Sequence, residues 1–425
     1  LLSRLVDKSL VVADESGDEM RYRLFETVRT YARTKLSLTE DGEDTAARHA
    51  NFYLRLAEGA AAEMRGPGET AWLRRLEADH DNLRACIEWS LDAGEADTAL
   101  RFSWALMTYW VARGFAQEGL QLTERALQIG AETDPLVRAR GLEVAAMLIR
   151  IQGDTARAFG MLEESERAFA ELGAHHDQAI ALLRLASTMS ARGDQERAVG
   201  LYTRAASMLD EVGDRWGVAN CLAGQGQIAL DGGDLEGARA LLTESLEVRR
   251  RLNHPRSIAQ SLVALGSIAL TEGEYGRAGE LLEEALALFK DVGSKHEMAS
   301  TTMSLGLVEC VHGDLDWAES LLTEATALAI EAAGTSMASS LLGSWAVVAR
   351  RRGLPTRAVA LWAAEEAHHR ALGLQRDVLF RRLQENELQA LESAVPTDEY
   401  RQAWDSGASR GWIEAIEQGS MFAAE

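Results

Sequence analysis

A forty-residue period runs through most of this chain and constrains its fold more than any other feature. Gly followed by an acid occurs at Gly153-Asp154, Gly193-Asp194, Gly233-Asp234, Gly273-Glu274 and Gly313-Asp314, and Gly353 continues the series. Five residues after each Gly stands an alanine: Ala158, Ala198, Ala238, Ala278, Ala318 and Ala358. Eight after it stands an apolar residue: Met161, Leu201, Leu241, Leu281, Leu321 and Leu361. Twenty after it come Gly173, Gly213, Asn253, Gly293, Ala333 and Gly373, and small residues recur upstream at Ala186, Gly226, Gly266, Gly306 and Ala346. Columns in register over such a period mark a repeat array. An array also accounts for 425 residues, which is too long for one ordinary core.

Each column has a mechanical meaning. A Gly-acid pair ends one helix with a residue that tolerates the left-handed conformation and opens the next with an N-cap carboxylate. The second Gly or Asn column ends the second helix in the same way. Apolar residues between them fall at three- and four-residue intervals, the helical period. A glycine inside a helix costs about 1 kcal/mol against alanine, so Gly226 and Gly266 imply a close neighbour; the alanine column twelve residues later is the expected partner. Each unit is therefore an antiparallel helix pair. Pro135 and Pro255 open units, Pro355 sits at a turn, and Pro67 and Pro396 lie outside the repeats. A small residue in helix A, Gly at the turn and Ala in helix B resemble the tetratricopeptide repeat, lengthened from its usual 34 residues. The resemblance implies an all-α, right-handed superhelix of six units over 134–374, preceded by a helical linker and irregular first repeats over 39–133 and closed by capping helices over 375–425.

Residues 1–38 follow another grammar. Leu1–Leu10 reads as a short helix, and Val11-Val12 and Tyr22-Arg23-Leu24-Phe25 flank a polar turn from Asp14 to Asp18, a hairpin signal. Glu26–Leu36 is helical again. Helix, hairpin, helix is how a winged helix ends. Leu5-Val6-Asp7-Lys8-Ser9-Leu10-Val11, Arg21–Arg29 and Tyr31-Ala32 resemble the end of the winged-helix domain in large bacterial signal-transduction ATPases of the STAND class. Their pattern continues through Arg48-His49-Ala50, Tyr53-Leu54, Trp72-Leu73, Leu76-Glu77 and Asp81–Ala85. The resemblance implies that the chain is the sensing and interaction arm of an actinobacterial STAND-type transcriptional regulator. An upstream nucleotide-binding domain of the same parent protein would be one partner, and a protein, peptide or small-molecule effector on the concave surface another. A homo-oligomer is compatible with that reading. The alternative is a signal-independent tetratricopeptide scaffold, adaptor or oligomerisation module. The chain begins Leu-Leu-Ser-Arg, without Met, as expected of a piece of a longer polypeptide.

Charge narrows the partners. Lys plus Arg is 44 against 66 Asp plus Glu, a net charge of −22, and both nucleic acid and anionic membranes repel a polyanion. Residues 1–40 carry seven basic and seven acidic side chains, so the excess belongs to the helical remainder. Direct nucleic-acid and membrane binding are therefore not expected. Three widely spaced cysteines (Cys86, Cys221, Cys310) imply no disulfide framework, which suits the cytoplasm.

Catalysis and cofactors find no support. No Gly-x-x-x-x-Gly-Lys-Ser/Thr occurs, so any ATPase activity would reside in another domain. Ala223-Gly224-Gln225-Gly226 lies mid-helix in the repeat register and lacks a lysine. His296-Glu297-Met298 starts like a zinc-protease motif but has Ser300 at its fifth position. His175-His176 and His368-His369 lack further ligands at metal spacing, and nothing marks a nucleophile near Asp79-His80-Asp81. The concave wall remains. Carrying over tetratricopeptide groove positions places Arg140, Glu143, Met147, Arg150, Asn220, Gln227, Gln260, Ser267, Met303, Arg350 and Arg351 on it. The middle units offer amides, hydroxyls and small residues, which suit a polar ligand or a peptide backbone. The carboxylate clamp of chaperone-binding repeats is not matched, since Ala223 and Gln227 occupy its middle-unit positions. Arg350-Arg351-Arg352 closes a helix, where the dipole favours cations; the sharper expectation is an anion or acidic-partner site there.

Overall fold

In the computed structural model, the described residues are 2–16, 19–36, 38–130, 133–331, 337–372 and 378–420. Ala333 and Gly373 of the second turn column, and Gly17 and Asp18 of the hairpin turn, lie outside them. The chain starts with α1 (Leu2–Asp7), an antiparallel hairpin of β1 (Val11–Ser16) and β2 (Glu19–Leu24), and α2 (Glu26–Leu36). Val11 pairs with Leu24 in the hairpin register. Four helices, α3 (Gly42–Glu63), α4 (Glu69–Ala78), α5 (His80–Asp92) and the longer α6 (Ala96–Arg113), lead into α7 (Ala116–Ile129).

Six helix pairs follow: α8/α9 (Pro135–Ile151, Thr155–Glu171), α10/α11 (His175–Ala191, Gln195–Glu211), α12/α13 (Arg215–Asp231, Leu235–Leu252), α14/α15 (Pro255–Thr271, Tyr275–Val292), α16/α17 (Lys295–His312, Leu315–Glu331) and α18/α19 (Ala338–Arg351, Pro355–Leu372). The forty-residue grammar is visible in the backbone. Gly153, Gly193, Gly233, Gly273, Gly313 and Gly353 all have φ between 76° and 95°, a region closed to most L-residues. Asp154, Asp234 and Asp314 each accept a hydrogen bond from a backbone N–H three residues on. Asn253 holds the left-handed position between α13 and α14, at φ 51°. Pro355 opens α19 rather than sitting in a turn, as a first helical position allows.

Packing follows the same period. In the second unit α10 buries Ala179, Leu182, Leu185, Ala186 and Met189, and α11 buries Ala198, Tyr202, Ala205 and Leu209 against them. Small residues in the first helices do admit a close neighbour: the nearest atoms are leucines sixteen residues on, and at Gly266 and Gly306 the carbonyl of the alanine at twelve comes next. A Cβ at Gly226 would sit 2.8 Å from Leu242 Cγ. One at Gly306 would lie 3.1 Å from Leu322 and 3.3 Å from the Ala318 carbonyl. Ser165 and Ser245 tie second helix to first by donating to the Ala139 and Ala219 carbonyls at 2.9 and 2.8 Å. First helices of successive units approach one another more closely than second helices do, so they line the inside of the curve.

The last two helices, α21 (Thr397–Ala408) and α22 (Trp412–Ser420), follow α20 (Val378–Ala394) and fold back on the sixth unit. Trp404 and Trp412 pack there against the core containing Trp345, Trp362, Leu391 and Ile416. Among the described residues, no helix is long and apolar enough to cross a membrane.

Candidate ligand-binding site

Three first helices and the second helices behind them enclose a hollow of about 300 Å³ on the inner wall. Ser187 and Ser190 come from α10, Ala223, Gly224 and Gln227 from α12, and Gln260, Ser261 and Ala264 from α14. Tyr202, Leu242 and Arg249 reach it from α11 and α13. Gly224 has a local reason: a Cβ there would stand 2.2 Å from the Tyr202 ring, so the glycine lets the tyrosine lie flat beneath the cavity. Two other hollows, each about 380 Å³, sit at turns between units. Their charges are already used internally, Arg197 on Asp194 at 3.4 Å and Arg352 on Asp316. The inner-wall cavity is the one whose polar groups converge.

Arg249 is its floor. The guanidinium is 4% exposed and donates to the Ser257 carbonyl at 2.9 Å, Ser261 Oγ at 2.8 Å and Asn220 Oδ1 at 2.8 Å. Its Nε–H is buried without a partner. Desolvation, which disfavours the charged form, brings its pKa down to about 10.

The expected wall residues divide into three groups. Gln227 and Gln260 line the cavity, both exposed, and Asn220 stands behind it as an Arg249 acceptor. A second group is occupied by the protein's own side chains. Arg140 makes a two-point pair with Asp177 at 2.8 and 3.1 Å and lies over the Trp104 ring. Glu143 is fully buried against Arg184, and burial raises its pKa while Arg184 opposes the rise. Arg350 is engaged by Glu387 of α20 at 2.5 and 2.7 Å, and its neighbour Arg352 holds Asp316 and Glu319. The arginine cluster therefore closes the sixth unit onto its cap and neighbour; Arg351 and Arg352 are both exposed. A third group, Met147, Arg150, Ser267 and Met303, is half-buried outside the cavity. Ser267 spends its hydroxyl on the Val263 carbonyl, and Arg150 keeps a buried, unpartnered Nε.

Sequence reasoning missed Arg249, yet the signal was there. One period before and after it, the same position holds the buried Leu209 and Phe289. A charge in a core column is the anomaly to look for.

A second set of contacts, between residues far apart in sequence, joins α3–α6 to units three and four. His254 N-caps α14, accepting from Ser257 N–H through Nδ1 at 3.1 Å, and its Nε2 meets the Met64 carbonyl at 3.1 Å. Nε2 therefore carries the proton. Burial lowers the pKa of His254 to about 4, with Arg256 and Arg249 adding to the effect. Glu69 is wholly buried beside Arg256, 3.2 Å from its Nε. Arg113 donates to the carbonyls of Val292 and Gly293 at 3.1 and 3.2 Å, and Arg65 covers Trp216 at 4.8 Å. Cavity and closure meet at one residue: Ser257 accepts from Arg249 through its carbonyl and donates to His254 through its N–H.

Asp79-His80-Asp81 is structural. Asp79 accepts from Arg21 of β2 at 2.5 Å, from Tyr53 at 3.3 Å and from Asn82 at 3.1 Å, and His80 stacks on Phe115 at 4.0 Å. These bonds dock the hairpin on the helices.

Known proteins agree with this architecture. Residues 1–37 match the winged helix-turn-helix domain family. Proteins of Mycobacterium bovis and Mycobacterium tuberculosis named as HTH-type transcriptional regulators are 40% identical over 157 residues, 35% of this chain. The match spans 17% of those relatives' length. Among solved structures, a Rap protein complexed with competence and sporulation factor superposes with a TM-score of 0.53 at 16% identity, over 83% of this chain and all of that one. A signal transduction ATPase with numerous domains and a tetratricopeptide repeat sensor, from Pyrococcus horikoshii, gives a TM-score of 0.46 at 16% identity, over 95% of this chain and 60% of that one. Residues 104–326, more than half of the chain, match the MalT-like tetratricopeptide region, and the chain belongs to that family.

Proposed function

We propose that this chain is the effector-sensing arm of a STAND-type transcriptional regulator, and that an effector on the inner wall controls whether α3–α6 stay closed on units three and four. The observation that carries the reading is Ser257, which joins the cavity to the closure through its carbonyl and its N–H. An effector that draws on Arg249 competes with the Ser257 carbonyl for the guanidinium and changes the field at His254. A ligand shifts such an equilibrium only by its differential affinity for the two states, and the cavity supplies a contact that differs between them.

Two further observations support the reading. The closure is polar and half-satisfied, the kind of contact that opens at modest cost. The winged-helix segment exposes Leu10, Met20, Tyr22, Leu24, Phe25 and Tyr31, an apolar surface suited to a neighbouring domain. The Rap protein, similar in fold, is itself seen complexed with competence and sporulation factor. In this scheme the upstream nucleotide-binding domain supplies ATP chemistry and assembly, and this chain supplies the decision.

The test uses the parent protein with its nucleotide-binding domain. His254→Ala with Arg113→Ala should produce effector-independent assembly, read by light scattering in ATP, and should raise hydrogen exchange across Met64–Glu77. Wild-type assembly and effector response in that double variant would sink the proposal and leave a passive scaffold.

A further inference from the structure

The forty-residue register isolates one residue. The position of Arg249 is Phe169, Leu209, Phe289 and Ala329 in units one, two, four and five, all buried apolar side chains. Unit three alone of these five places a guanidinium there. Other deeply buried arginines come with a counter-charge, Arg184 with Glu143 and Arg256 with Glu69. Arg249 has none among the described residues: its three acceptors are neutral, and its Nε–H is orphaned. A buried charge without a partner is the costly case, in a chain with 66 acidic residues from which to draw one. Arg150, on the neighbouring first helix, is half-buried with its Nε unpartnered, and its charge acts on Tyr202 of the cavity. Positive charge is thus left open at this inner-wall hollow.

We infer that this cavity receives the anionic group, carboxylate or phosphate, of a metabolite-sized ligand, with Arg249 as its counter-charge. Gln227, Gln260, Ser187 and Ser190 surround the mouth and pair with the ligand's uncharged polar atoms. The volume of about 300 Å³ lies at the small end of ligand sites, which fits a small molecule rather than a folded partner. A guanidinium fork matches planar and tetrahedral oxyanions alike. The inference rests on the sensing reading only for calling this ligand the effector.

The test titrates the 425-residue chain with inorganic phosphate, glucose 6-phosphate and citrate, and with glucose and glycerol as uncharged controls. Binding is followed through the methyl NMR signals of Leu242 and Ala264, which line the cavity. At least one anion should shift both signals saturably and raise the melting temperature as mass action requires, while glucose and glycerol do neither. Arg249→Met should weaken that anion at least roughly tenfold, and Arg249→Lys should retain part of the affinity. If Arg249→Met does not fold, the anion-against-neutral contrast in wild type decides, supported by Gln260→Ala at an exposed position. Silence of all three anions, or equal response to glucose, overturns the inference. So does undiminished binding to a folded Arg249→Met. A peptide with a free C-terminus that binds where its amidated form does not, with the small anions silent, moves the anion to a peptide terminus and overturns the metabolite assignment. Hydrogen exchange at Met64–Glu69 separates this inference from the sensing reading. A neutral probe that binds and speeds exchange removes only the anion, whereas an anion that binds without changing exchange removes only the sensing.

Discussion

The two ends of the superhelix are finished in opposite ways. At the C-terminal end α21 and α22 lie on α18 and α19 through Trp404, Trp412, Ala415 and Ile416, and Gly407 brings two backbones together. At the N-terminal end α3–α6 reach units three and four through carbonyls, a buried imidazole and a buried carboxylate. Apolar burial is non-directional and indifferent to protonation, so the cap behaves as a fixed end. Buried polar contacts depend on geometry and charge state, so the closure responds to pH, ligands and single substitutions. The contrast separates an end held by apolar packing from an end held by charge and hydrogen bonds.

The largest break should come from Arg256→Ala. It leaves Glu69 buried with its main counter-charge removed, a loss of about 3–5 kcal/mol. Hydrogen exchange should rise across α4 and the start of α14 while α21 and α22 keep their protection; equal loss at both ends would abolish the distinction.

Acid should open the same end. The folded pKa of His254, about 4, lies below the ordinary 6.5. The stability from neutral His254 is therefore complete above pH 6.5 and is lost as pH falls through about 4. A shift of that size corresponds to about 3 kcal/mol. Burial raises the pKa of Glu69, so that group gains stability on acidification and partly offsets the loss. The difference between wild type and His254→Gln, followed by denaturant unfolding from pH 7.5 to 4.5, isolates the histidine. A difference that does not change with pH would refute this assignment.

Gly407→Ala should act at the other end only. Its Cβ would fall 2.0 Å from the Ala360 carbonyl oxygen, an overpacking worth about 1–3 kcal/mol. Trp404 and Trp412 fluorescence should report a loosened cap, with Met64–Glu77 exchange unaltered.

The smallest effect is expected from Arg21→Ala, which frees the hairpin from Asp79. A partly exposed pair of this kind contributes about 1 kcal/mol. Limited proteolysis should then cut between α2 and α3 sooner, with the melting temperature of the repeats unchanged.

The legible and illegible parts of this molecule divide along a physical line. Helix pairing was readable because the glycine turns, N-cap acids and alanine columns act within a few residues of sequence, where backbone sterics and capping dominate. The hairpin between Val11 and Leu24 was readable for the same reason. The alanine partner of the mid-helix glycines holds at Gly266 and Gly306, where the Ala278 and Ala318 carbonyls approach, but Leu242 and Leu322, reaching across from the next turn of helix B, come nearer. The cavity was half legible: groove positions recovered Gln227 and Gln260, but the same rule admitted Glu143, Arg140 and Arg350, whose charges the fold has already paired. It omitted Arg249, which sits on a second helix and enters the inner wall from behind.

The sequence by itself determined the repeat, the helix boundaries, the winged-helix end and the absence of a phosphate-binding loop, all of them local or periodic properties. Only the tertiary structure decided which charges are spent and which are free. Pairing depends on what the superhelix brings within a few ångströms, as it does for Met64 and His254 across 190 positions. That same curvature places a guanidinium without a counter-charge one residue from the closure, at Ser257.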